Sequence, residues 1–187
     1  MTALASLWLP ILLSAVFVFV ASSVIHMVLQ LHNSDYRKVP DEDAVRDALR
    51  DVPPGQYMVP HAASPGECNT KEMRARFDEG PVGVLVLREK GMPSMGKALG
   101  QWFALCLLVA AITAWLTGRG LAPGADGARV FLASTVAALL GHGLASVNDS
   151  IWKGVAWSTT AKFVFDGIVY ALVTGTTFWW LWPAAGS

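Results

Sequence analysis

Four apolar runs decide what this chain can fold into. They are Leu4–Leu29, Ala98–Leu116, Ala128–Val147 and Phe163–Trp182. Each approaches the roughly 20 residues that cross a hydrocarbon core of about 30 Å as a helix. In lipid, a single segment satisfies its own backbone only as a helix. The sequence therefore predicts a mainly α, integral membrane protein: a four-transmembrane-helix bundle with a small α+β cytoplasmic insert between helices 1 and 2. The predicted spans are 1–30, 98–117, 128–147 and 162–182, with the insert at 31–97 and a short interfacial segment at 150–160. Charge agrees, since 15% of the residues are charged, against about 25% in soluble domains. No Lys or Arg precedes Arg37, and the first run exceeds the apolar core of a signal peptide. It is expected to stay as a span.

Every Lys and Arg except Arg119 and Arg129 falls on one side of this four-span topology. The positive-inside rule then predicts that loops 30–97 and 148–162 are cytoplasmic and that both termini lie outside. Tryptophans are expected at the two interfaces, where an indole keeps its body in lipid and its N–H near water. Trp8, Trp115, Trp179, Trp180 and Trp182 mark the outer level, and Trp102, Trp152 and Trp157 the inner one.

The insert is patterned. "PDEDAVRDALRDV" reads as a helix with acids in its first turn, "QYMVP" as extended, and "NTKEMRARF" as a helix with a capping box from Asn69 to Glu72. "VGVLVLRE" reads as a strand. Two short helices and two strands make a small core, so the insert is expected to lean on the spanning helices or on a partner. His61 and Cys68 lie within it. Without a third ligand at useful spacing, they read as loop residues.

Three ionisable residues sit inside apolar runs: His26, His142 and Asp166. Such groups usually face a bundle interior or water. All three fall near the inner side, so they are the candidate polar layer. Ala133, Ala137, Gly141 and Ala145 form a small-residue stripe on helix 3, and Gly167, Ala171 and Gly175 form one on helix 4. Small residues let helices approach closely, and a hairpin is expected to bring the stripes together. A hydrogen bond between His142 and Asp166, direct or through one water, follows. Lys162, one turn before Asp166, is the alternative partner. His26 and His32, six residues apart, would lie about 240° apart on a continuing helix and share no face. Weak metal-ligand candidates are thus His26, His32, His61 and His142, and no cofactor is predicted.

The stretches "SSVIHMVL", "HNSDYRKVP", "PPGQYMVPHAASP", "PSMGKALGQWF" and "WSTTAKFVFDGIVYALVTGTTFWWLWP" resemble those of a group of small bacterial inner-membrane proteins with no assigned activity. The resemblance covers most of the chain. It implies a location and carries over no site residue.

The leading functional expectation is a non-enzymatic accessory or assembly subunit of a bacterial membrane complex, with lipid and a protein partner or a second copy as its contacts. Zero net charge gives no electrostatic footprint for nucleic acid. The alternative is a small transporter or channel-like oligomer, or a metal- or ligand-binding membrane protein, using the layer of His26, His142 and Asp166. Four helices are few for a transporter, and no span is visibly broken in mid-membrane.

Overall fold

The computed structural model describes residues 1–186. It is mainly helical, with four helices long and apolar enough to cross a membrane and a small two-stranded sheet. The first long helix starts as a 3-10 turn, continues as α1 (Trp8–Ser23) and ends in a π turn over Val24–Val28. The others are α5 (Met95–Gly120), α6 (Gly127–His142) and α8 (Trp157–Trp180). Between α1 and α5 lie α2 (Glu42–Ala48), β1 (Gly55–Val59), α3 (Pro65–Cys68), α4 (Lys71–Glu79) and β2 (Gly83–Leu87). A 3-10 turn at Leu144–Ser146 links α6 to α7 (Val147–Lys153).

The four long helices form a ring in which α1 touches α5 and α8, and α6 touches the same two. Small and hydroxylic side chains fill the interior: Ser14, Thr113, Thr117, Ser134, Thr174 and Thr177 are all buried. Thr174 and Thr177 donate to the carbonyls of Tyr170 and Val173 one turn back. Leu108, Ile112, Leu132, Leu140, Phe165 and Leu172 point outward instead. An interior that mixes hydroxyls with apolar side chains, inside an apolar outer face, suits helices surrounded by lipid.

The tightest pair is α6 with α8. A Cβ on Gly167 would meet the backbone of Gly143, and one on Gly175 would meet Thr135 and the carbonyl of Phe131. Ala171 packs with Ala138 and Val109. The α8 stripe therefore faces α6, but the α6 stripe does not answer it. Gly141 abuts Val109 of α5, and Ala133 and Ala137 line a groove beside Leu116 and Gly120 of α5. Ala145 is exposed in the turn after α6. Helix α6 thus has two small faces, and the one offset from the stripe receives α8.

The insert's elements pack mainly on one another rather than on the long helices. Strands β1 and β2 are antiparallel, with Tyr57 opposite Leu85. Asp41 caps α2 by accepting from the Ala44 N–H. The α4 cap is Thr70, accepting from the Met73 N–H, and not Asn69, whose amide donates to the Pro65 carbonyl. Serine 64 caps the unforeseen helix α3, where Pro65 occupies a first-turn position that needs no N–H donor. The segment 150–160 holds the end of α7, a break and the start of α8. Helix α7 ends at left-handed Gly154, and α8 begins at Trp157.

Candidate functional site

The first helix does not run on to His32. At Val24–Val28 its hydrogen bonds widen, with the Leu29 N–H donating to the Val24 carbonyl five residues back. Gln30 then takes the left-handed region at φ 52°, which is rare for a residue with a Cβ. Its side-chain carbonyl accepts from Asn33 and pins the turn. The chain folds back, and the His32 ring stacks on that of His26 with centroids 4.5 Å apart. The two histidines expected on different faces therefore meet, because the helix carrying that expectation stops between them. Phe163 of α8 also packs against the His32 ring, tilted, with centroids 4.7 Å apart.

Both histidines converge on Asp166. Its Oδ2 lies 2.9 Å from His32 Nε2 and 3.3 Å from His26 Nε2. The Asp166 side chain is only 3% exposed, and its Oδ1 has no hydrogen-bond partner among the described residues. Behind His32, Nδ1 sits 2.6 Å from Asp35 Oδ2. Lys162 donates to Asp35 Oδ1 at 2.5 Å and to Ser34 Oγ at 2.8 Å. Lys162 thus pairs with Asp35 and not with Asp166. Burial pushes the Asp35 carboxyl up, but the hydrogen bonds and charges of Lys162 and His32 outweigh it and hold the group below its ordinary range.

A cavity of about 650 Å³ opens beside this cluster. His26 and Asp166 form part of its wall, and Trp102, His142 and Tyr170 form another part. The three aromatic rings of that second group meet edge-on or tilted at 5.6–6.0 Å. His142 makes no direct hydrogen bond to Asp166, and its Nδ1 has no partner among the described residues. The layer of His26, His142 and Asp166 is therefore one cavity with two parts: a His26–Asp166 contact extended by His32, and a separate His142 on the aromatic side. Trp102 lines the cavity, with its Nε1 buried and without a partner among the described residues. His61 and Cys68 are exposed on the insert, apart from the cluster.

Sequence reasoning missed Asp35, and it missed His32 as a partner of Asp166. A signal for both existed. The spacing "HNSD" places a carboxylate three residues after a histidine, inside a turn-forming Asn-Ser pair. Comparison with known proteins adds no precedent, since no family model, curated protein or solved structure matches the chain.

Proposed function

We propose that the chain is a multi-pass protein of the bacterial inner membrane that binds a ligand at the cytoplasmic end of its helix bundle. The apolar outer faces of the four long helices support membrane insertion. The concentration of Lys and Arg at 30–97 and 148–162 supports a cytoplasmic insert and external termini. One observation carries the ligand reading: Asp166, buried inside an apolar helix and part of the wall of a cavity, offers one oxygen to two histidines and leaves the other without a hydrogen-bond partner among the described residues. A layer serving only to fix helix packing would be expected to satisfy both oxygens.

The deciding experiment is replacement of the chromosomal gene by Asp166→Asn, with membrane abundance checked by blotting. The expected result is normal abundance together with the growth or membrane-proteome change of a deletion strain. Wild-type behaviour at normal abundance would remove the ligand reading. Reporter fusions at residue 60 and at the C-terminus test the orientation, which fails if both report the same side.

The reading as an accessory or assembly subunit keeps one observation of its own. The insert's sheet leaves Met58 and Val86 exposed and is not covered by the spanning helices. Gentle extraction followed by mass spectrometry tests it. A stoichiometric partner supports that reading, and a lone chain whose deletion alters no complex removes it.

A further inference from the structure

Resting on the ligand-site reading above, we propose that His26, His32 and Asp166 bind a divalent first-row transition metal ion, with Asp35 orienting His32 from behind. One ligand atom from each of the three residues falls within 4.8 Å of the others. The two Nε2–Oδ2 separations, 3.3 Å and 2.9 Å, match the spacing of neighbouring ligand atoms around such an ion. With bonds of about 2.0–2.1 Å, that spacing is about 3.0 Å in an octahedral shell and about 3.4 Å in a tetrahedral one. Two imidazoles and one carboxylate suit zinc and its first-row neighbours. Calcium and magnesium favour oxygen-only shells.

Three further features point the same way. The unpartnered Asp166 Oδ1 is buried, and a carboxylate oxygen without a donor is costly there unless a cation is near. His32 Nδ1 faces Asp35 Oδ2 at 2.6 Å, the arrangement by which an outer carboxylate fixes the orientation of a metal-bound imidazole. Lys162 in turn fixes Asp35. The third feature is the backbone. A π turn and a left-handed Gln30 exchange regular helix for a fold-back whose visible result is to bring His32 over His26. Both kinds of distortion concentrate at functional sites. His26 and Asp166 border the cavity, so coordination positions on that side are open to water or a small ligand.

The test uses the full-length chain purified in mild detergent, stripped with a chelator and titrated with Co²⁺, then with Zn²⁺ in competition. The expected result is one Co²⁺ per chain, seen as visible absorption bands that Zn²⁺ removes. His26→Ala and Asp166→Asn each weaken binding by more than tenfold. Asp35→Asn keeps all three ligands and weakens it roughly 10- to 100-fold. His61→Ala leaves it unchanged. Because a site variant can fail to fold, X-ray absorption of the Zn²⁺-loaded wild type is the second measurement, with two imidazoles and no sulfur expected around the ion. No Co²⁺ uptake by the folded wild type, uptake untouched by His26→Ala and Asp166→Asn, or a sulfur ligand would each overturn the proposal. If the metal fails while Asp166→Asn still abolishes function in cells, the ligand reading survives with a non-metal ligand. If Asp166→Asn is also silent in cells, both fall.

Discussion

The two ends of the helix ring, called outer and inner after the orientation proposed above, are made by the same four helices, yet they are closed in different ways. At the outer end Leu7, Ala114, Val130 and Phe178 are completely buried around one another, with Leu121 beside them. Main-chain bonds stitch the ends together there: the Thr2 N–H donates to the Gly118 carbonyl, and the Gly124 N–H to the Pro183 carbonyl. Trp182 donates to the Ala122 carbonyl. At the inner end α6 and α8 stay in close contact at Gly143 and Gly167, but a cavity opens beside them, and ionisable side chains border it. If the proposed ligand site is real, stability is expected to concentrate where the packing is dry, and binding where it is not. This is the division expected when an active region is allowed to be less than optimally packed.

If that division is real, the largest loss of stability comes from the outer end. Phe178→Ala removes the largest of the completely buried side chains. It is expected to cost roughly 3–5 kcal/mol, seen as a lower unfolding temperature in detergent, while leaving Co²⁺ affinity within about twofold in the protein that remains folded. A cost below about 1 kcal/mol would deny the outer plug its role.

Between the two ends, the α6–α8 seam carries the next effect. Gly167→Ala drives a methyl into the Gly143 backbone and is expected to cost about 1–3 kcal/mol. Because Gly167 adjoins Asp166, this variant also disturbs the site, as a loss of metal affinity exceeding that of Phe178→Ala. Gly100→Ala is the contrast. Nothing lies within 4 Å of its added carbon, and the helix gains up to about 1 kcal/mol by propensity. Equal effects from the two substitutions would mean that the close approach at Gly167 does not limit packing.

How far the sequence foretold this architecture depends on the length scale. The long helices were legible because each imposes an apolar run on many consecutive residues. Their ends were less so: α5 extends from Met95 to Gly120 and α8 starts at Trp157, beyond the apolar limits, because helices run on through the polar level. Facing was harder still. The α8 stripe faces α6, while α6 offers small residues on adjacent faces, and periodicity cannot say which one a partner takes. The site was legible in His26 and Asp166 as ionisable groups in apolar runs. For His32 and Asp35 only their local pairing was legible, in the spacing "HNSD"; their approach to Asp166 depends on one left-handed residue at Gln30. Gly and Asn announce that conformation more often than Gln does.

At the site itself, Asp166→Asn separates stability from function most sharply. Asparagine keeps an acceptor for a histidine N–H, so the cost is expected to stay near 1 kcal/mol, well below that of Phe178→Ala. Loss of metal binding is expected to exceed tenfold. The opposite pattern, several kcal/mol lost with metal affinity intact, would turn the inner end into a second structural core and erase the contrast between the ends.

The smallest effect is expected at Lys162. Its ammonium bridges Asp35 and Ser34 from α8 to the turn that carries His32, and it remains 29% exposed. Asp35 is only 3% exposed but keeps His32 Nδ1 as a partner, and the ammonium itself is partly solvated, so Lys162→Met is expected to cost about 1 kcal/mol. Its consequence is local. Asp35 loses the cation that orients it, His32 loses a fixed Nδ1 partner, and the 31–36 turn keeps its own short-range bonds, the His32–Asp166 contact and the ring stack. Hydrogen exchange at those amides should quicken, and salt should reproduce part of the effect in the wild type by screening the pair. If exchange in the turn is unchanged, the turn is fixed by those remaining contacts alone. The inner end would then owe its order to packing and short-range bonds rather than to the Lys162 charge, and the two ends would be more alike than their contents suggest.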